Sequence, residues 1–191
     1  DPRALQRSAF HQEILRPQGI RDITAIKELG FDKFLLIDDN IVAHPAYLEE
    51  LCEQIRPLGM TWMSQCSIRI ADKPDLLRLV AESGCRVLSF GLESINKDSL
   101  LAMNKKWCDP DDYARVLRTV TDAGIEIASE MIVGIDTDTR ESLLATIDFV
   151  KSSDIVAPKF YCLTPIPGTD LYEELKDTGR ITDPDVLNAY G

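Results

Sequence analysis

Five short polar clusters hold the side chains of this sequence that could do chemistry. Asp38-Asp39-Asn40 brings two carboxylates and an amide. Gln65-Cys66-Ser67-Ile68-Arg69 brings an amide, a hydroxyl and a guanidinium, and Gly91-Leu92-Glu93-Ser94 places a carboxylate and a hydroxyl just after a glycine. Gly134-Ile135-Asp136 and Thr164-Pro165-Ile166-Pro167-Gly168-Thr169 complete the set. Oxygens of this kind accept hydrogen bonds from an ammonium or from hydroxyl groups. Asp38, Asp39 and Glu93 together could also hold a divalent ion, since hard cations take oxygen ligands.

Each cluster ends or interrupts an apolar run, so the clusters are placed by the elements that carry them. Helical spacing over 22–29 is stopped by Gly30. Phe34-Leu35-Leu36-Ile37 is a short strand closed by the acidic cluster. A helix is expected over 46–58, a strand over 61–70, and a helix opened by Lys73-Pro74-Asp75, with Pro in its first turn. A strand follows over 85–90, then a short helix over 98–103 and a longer one from Asp109-Pro110 to Ala123. The remaining elements are a strand over 125–133, a helix over 139–152, a strand over 155–163 and a last helix over 171–177.

Strands that alternate with helices make a parallel sheet of βα units. Five strands are too few for a closed eight-stranded barrel of about 250 residues. The expectation is therefore a single α/β domain over 19–191, an open or partial barrel, with 1–18 as an irregular lead-in. In parallel α/β folds the ligand site lies at the C-terminal strand ends, where these clusters fall. Strand alternation puts Val87, Ser89, Gly91 and Glu93 on one face and Leu88, Phe90 and Leu92 on the other. The second set suits packing under helices, and the first suits a lumen. Helix capping accounts for Glu93 and Ser94 equally well.

The totals narrow the function. The chain has 191 residues, 45% hydrophobic and 28% charged, with a formal net charge of −11. That balance argues against nucleic acid or an anionic membrane surface as main partner, because both require a basic patch. No apolar stretch is long enough to span a membrane. The five cysteines, Cys52, Cys66, Cys85, Cys108 and Cys162, are odd in number and never at CxxC spacing. They fit scattered reduced thiols in a cytoplasmic protein rather than a disulfide framework or a zinc ribbon.

Taken together, "FLLIDDNIV", "TWMSQCSIRI", "SFGLESINKDSLLAMNKK", "GIEIASEMIVGIDTDT" and "LTPIPGTDLYEEL" resemble the radical S-adenosylmethionine superfamily. Within it they look like the branch with an upstream cobalamin-binding domain, the hopanoid-methylase type. The resemblance covers roughly residues 20–175. It implies a (β/α)6 partial barrel, a TIM-barrel-like horseshoe. It also implies a 4Fe-4S cluster that cleaves S-adenosylmethionine to a 5′-deoxyadenosyl radical, cobalamin supplied through another domain, an electron donor of flavodoxin or ferredoxin type, and a small-molecule or lipid substrate. Asp38, Asp39 and Asn40 match a polar motif near the methionine amino group. Glu93 and Ser94 match side chains on the ribose hydroxyls or the amino-acid end. Ile132, Val133 and Gly134 match the motif that packs on adenine, and Leu163 and Thr164 the position beside it, where Pro165, Pro167 and Gly168 shape the rim. Gln65 and Ser67 belong to the same cofactor-binding set. Lys105-Lys106 resembles a basic position of the family and serves equally as a solvated helix end.

One departure bounds the resemblance. The family's Cys-x3-Cys-x2-Cys loop, which holds the cluster, has no counterpart here. That implies an excerpt beginning after the loop and lacking the first strand. The alternative is a barrel without a cluster that binds a nucleotide-like ligand or a protein partner. Glu130 and Tyr161 are the candidate catalytic residues. Glu130 reads as a substrate contact, an acid–base group or a strand-edge charge, and its face is undecided. Tyr161 shares a face with Lys159. Arg69 could bind an anionic substrate group or pair with Asp72, and the pair is expected; His11 and His44 are expected to lie on the surface.

Overall fold

The structure, a computed structural model, describes residues 18–181. The expected lead-in lies outside these residues except for Gln18, and so does His11. Gln18 is already helical, in α1 (18–28). Five strands follow in chain order, with helices between them. They are β1 (Lys33–Leu36), α2 (Pro45–Ile55), β2 (Thr61–Cys66), α3 (Pro74–Glu82), β3 (Cys85–Glu93), α4 (Lys97–Ala102), α5 (Tyr113–Asp122), β4 (Glu126–Val133), α6 (Arg140–Ser152), β5 (Ile155–Cys162) and α7 (Asp170–Leu175).

All four strand pairs are parallel, and the sheet order is β1-β2-β3-β4-β5. Strand-to-strand crossovers are right-handed almost without exception. In a sheet with this sequential order, that places every crossover helix on one face and leaves the other face open. The α/β partial barrel read from the sequence is the observed architecture.

The helices earn their places through apolar stripes at helical spacing. α2 buries Leu48, Leu51, Cys52 and Ile55, and α5 buries Tyr113, Val116, Leu117 and Val120. Against them the sheet presents Leu88, Phe90 and Leu92 of β3 and Ile127 and Met131 of β4, all fully buried. The helix ends are closed by side chains. Asn96 accepts from the Asp98 N–H at 2.9 Å, and Thr139 and Ser142 form a reciprocal capping box on α6.

Two strand ends differ from expectation by three residues or more. β2 ends at Cys66, and Ile68–Asp72 form a 3-10 turn capped by Ser67. The apolar Ile68 and Ile70 had extended the strand pattern, but Ser67 accepts from the Arg69 N–H at 3.4 Å and turns the chain. β3 runs on to Glu93, past the expected end at Phe90.

Candidate active site

The open face of β3 carries Ser89, Gly91 and Glu93, as the alternation required, while Leu88, Phe90 and Leu92 face the helices. At the C-terminal strand ends a cleft of about 470 Å3 opens between the β1, β2 and β3 loops. Its walls include Asp39 and Asn40 after β1, Ser67 and Arg69 after β2, and Glu93 with Lys105 and Trp107 after β3. Both signs of charge therefore line one space.

Glu93 sits at a bulge. The register steps from Gly91 opposite Glu130 to Glu93 opposite Met131, and Glu93 has φ 64°. Its Oε1 accepts from Lys105 Nζ at 2.8 Å, with the Glu93 side chain only 13% exposed. Lys105 Nζ also lies 5.4 Å from the Trp107 ring centroid, a cation–π distance. Lys105 is thus no solvated helix end. Its partner lies twelve residues back in the chain, and only the fold brings them together.

The acidic loop after β1 is pinned from within. Asp38 Oδ1 accepts from the Asn40 N–H at 2.8 Å, and Asn40 Oδ1 accepts from the Ser67 N–H at 2.9 Å. Asn40 therefore joins the β1 loop to the end of β2, while Asp39 keeps its carboxylate at the cleft. Ser94 is buried, and its Oγ accepts from the Asn96 N–H at 3.0 Å. The structure gives that hydroxyl to the turn before α4, not to the cleft.

Arg69 is a second correction. Asp72 is held by Arg115 at 3.0 Å, and Arg69 is exposed on the cleft wall. A divalent-ion site on Asp38, Asp39 and Glu93 is also set aside. Among the described residues no group of three or more His, Cys, Asp or Glu could hold a metal ion, and Glu93 is already neutralised by Lys105. His44 is exposed, as expected.

One layer down the strands lies a second polar group. Glu130 points to the open face, where its Oε1 accepts from Gln65 Nε2 at 3.0 Å, Ser89 Oγ at 3.2 Å and Lys159 Nζ at 3.2 Å. Burial raises the Glu130 pKa, but the hydrogen bonds from Gln65, Lys159 and Ser89 outweigh it and hold the carboxyl below its usual range. Gln65 is thereby committed to Glu130 and lies outside the cleft lining. Tyr161 lies two residues beyond Lys159 on the same strand, half exposed.

The β4 and β5 ends carry the remaining candidates. Leu163 N–H donates to the Val133 carbonyl at 2.8 Å, prolonging the ladder beside Ile132. Thr164 donates to the Cys162 carbonyl at 3.0 Å. Gly134 has φ 88°, a conformation that glycine adopts readily. Asp138, which the sequence did not single out, accepts from the Gly134 and Ile135 N–H groups at 2.8 and 3.0 Å and from Ser99 Oγ at 3.3 Å.

The donor set suits a zwitterionic ligand with hydroxyl groups. Arg69 and Lys105 match a carboxylate, Asp39 an ammonium, and Glu93 a pair of hydroxyls or an ammonium. The described residues do not suit an iron–sulfur cluster, which needs several thiolates at close spacing. Cys52, Cys66, Cys85 and Cys108 are buried and only Cys162 is exposed. Burial pushes the thiol of Cys52 up to about 11, that of Cys85 up to about 12 and that of Cys66 higher still, away from the thiolate form.

The structure is thus a parallel partial barrel with a polar cleft of mixed charge at its C-terminal strand ends, where α/β enzymes of this architecture hold their ligands. Residues 16–150 match the Radical SAM superfamily, and the chain belongs to that family, whose members use S-adenosylmethionine and a 4Fe-4S cluster. The bacteriochlorophyllide d C-12(1)-methyltransferase of Chlorobaculum tepidum is 38% identical, over 83% of this chain and 35% of that protein. The hopanoid C-2 methylase of Rhodopseudomonas palustris is 28% identical, over 88% of this chain and 33% of that protein. In fold, the chain is similar to the radical S-adenosylmethionine methyltransferase TsrM of Kitasatospora setae, solved with cobalamin and a 4Fe-4S cluster bound. The TM-score is 0.66 at 18% identity, over 76% of this chain and 29% of that one. The chain thus spans about a third of the length of the curated relatives it matches. Among the described residues no helix is long and apolar enough to cross a membrane.

Proposed function

We propose that this chain is the S-adenosylmethionine-binding core of a radical enzyme that activates a C–H bond and, with cobalamin, methylates a carbon centre. The observation that carries the reading is the cleft after β1, β2 and β3, where Asp39 and Glu93 face Arg69 and Lys105. Asp39 takes the methionine ammonium and Arg69 the methionine carboxylate. Glu93, oriented by Lys105, takes the ribose hydroxyls. Ile132, Gly134, Leu163 and Thr164 form the ledge for adenine at the β4 and β5 ends. Glu130, held anionic by three donors, and Tyr161 line the open face below, where the substrate carbon has to reach the adenosyl group.

A 4Fe-4S cluster, which would need thiolates from residues other than those described here, would supply the electron that cleavage of S-adenosylmethionine requires. A cytoplasmic reductant of flavodoxin or ferredoxin type feeds it. A methyltransferase relative that acts on a bacteriochlorophyllide makes a tetrapyrrole the first substrate to try. The cluster-less alternative is not favoured, because the methyltransferase relatives cover most of this chain.

The test is anaerobic reconstitution of the full-length protein with iron and sulfide. Iron uptake and release of 5′-deoxyadenosine under reductant support the reading. With bacteriochlorophyllide d and methyl-labelled S-adenosylmethionine, transfer of label identifies the methylation. Protein that binds iron and releases no 5′-deoxyadenosine overturns the reading.

A further inference from the structure

We propose that Tyr113, which sits in the helical layer, is the positioning residue that aims Glu93 into the cleft; the inference rests on reading that cleft as the S-adenosylmethionine site. The Ser94 N–H donates to the Leu92 carbonyl at 2.8 Å. With Glu93 at φ 64°, this closes a three-residue turn whose apex is Glu93. Turns of this positive-φ kind are rare and strained, and such strain persists only where the surroundings over-determine it.

Three groups do so here. The Ser94 hydroxyl accepts from the Asn96 N–H on the C-terminal side. Lys105 holds the Glu93 carboxylate itself. The third comes from behind the sheet: the Tyr113 hydroxyl donates to the Leu92 carbonyl at 2.7 Å, with the Ser94 carbonyl at 3.4 Å. One phenol therefore reaches both carbonyls that flank Glu93, and the Leu92 carbonyl, acceptor of the turn, has two donors.

Packing alone does not call for this group. Tyr113 is fully buried and its ring sits 6.1 Å from Phe149, and a phenylalanine ring would fill nearly the same volume. What phenylalanine lacks is the hydroxyl that fixes the turn. Tyr113 opens α5, so the helix on one side of the sheet sets the direction of a carboxylate on the other. Its effect on a ligand passes through Glu93, and it touches no ligand itself.

The test uses the full-length protein, reconstituted anaerobically, with S-adenosylmethionine as the probe. Four proteins are titrated: wild type, Tyr113→Phe, Glu93→Gln and the double variant. Tyr113→Phe is expected to raise the dissociation constant about tenfold, the scale of one well-placed contact. Glu93→Gln raises it at least as much, and the double variant binds no more weakly than Glu93→Gln alone. Hydrogen exchange gives a second measurement, in which Tyr113→Phe quickens the Ser94 amide and leaves the Phe90 amide unchanged.

Wild-type affinity in Tyr113→Phe overturns the proposal. So do losses that add in the double variant, and so does exchange that quickens along all of β3, the signature of a hydroxyl serving stability only. Normal affinity in Glu93→Gln overturns the role of Glu93, and Tyr113 falls with it, while S-adenosylmethionine binding stands. No binding by the wild type overturns the reading of the cleft and this inference together.

Discussion

Glu93 occupies the space that Gly91 leaves. A Cβ built on Gly91 would stand 2.9 Å from Glu93 Oε1, closer than a carbon and a carboxylate oxygen can sit. The Glu93 side chain therefore folds back along its own strand, over Gly91, the one residue of β3 that has no side chain. The Lys105 ammonium closes over it at 2.8 Å.

Gly91→Ala follows directly. Gly91 is not among the positive-φ residues, so alanine fits the backbone. The clash falls on the far end of a side chain, which can swing away from Lys105 without moving the backbone. The variant should lose no more stability than a partly buried ion pair contributes, roughly 1–2 kcal/mol, and should lose about tenfold in S-adenosylmethionine affinity. Thermal unfolding and calorimetric titration of the full-length protein measure the two quantities. A large stability loss with normal binding would show that Gly91 serves the strand and not the carboxylate.

Lys105→Met removes the cation and keeps the aliphatic stem beside Trp107. The Glu93 side chain is 13% exposed and that of Lys105 32%, so the pair lies between a surface ion pair and a buried one. Exposed pairs contribute about 0–1 kcal/mol and breaking a buried one costs about 3–5 kcal/mol; a loss of roughly 1–2 kcal/mol is expected here. Urea unfolding checks it. Glu93→Gln in the same background should recover part of the loss, because it removes the carboxylate left without a partner.

The fold was legible because each helix is periodic and each ends on a glycine or a cap, so the strands were bounded by their neighbours. The site was legible only in part. The alternation of β3 placed Glu93 correctly, since period two is a local property. Glu130 could not be oriented that way: Ser129 and Met131 opposite it suit either face, and only the register with Gly91 and Lys159 settles the matter. Long-range partners were invisible for the same reason. Arg69 and Asp72 are three apart and suggested a pair, but Arg115 reaches Asp72 across 43 residues. Ser94 belonged to a turn because a hydroxyl two residues before an N–H competes locally for it.

Asp138 makes a prediction about the adenine ledge. One carboxylate accepts from two backbone N–H groups and a serine hydroxyl. Asp138→Ala leaves the Gly134 and Ile135 amides without that acceptor and is expected to cost about 1–3 kcal/mol. The loss is local, so hydrogen exchange should accelerate at Gly134 and Ile135 and stay slow at Ile127, within the preceding strand β4. Asp138→Asn keeps one oxygen and should fall between the two. Uniform acceleration along β4 would count against a turn-specific role.

Glu130 makes a prediction about pH. Its carboxyl is held below the ordinary value of 4.5 in the folded chain, so the folded state favours the ionised form. The sign follows from linkage: the stabilising contribution is present in full above about 4.5 and is lost as pH falls through the lowered folded value, because the unfolded chain binds the proton first. With the Glu130 side chain 22% exposed and Lys159 44% exposed, solvent screening keeps the contribution to about 1 kcal/mol or less. Wild type should therefore be more stable than Glu130→Gln at pH 7, and the gap should narrow steadily on acidification below 4.5. Lys159→Met should show the same narrowing, since it removes a charge that holds the carboxyl ionised. Urea midpoints of the three proteins across that range decide it: a gap that is constant or widens in acid would mean that Glu130 is not held anionic by Gln65, Ser89 and Lys159, and that the polar layer of the open face is assembled in some other protonation state.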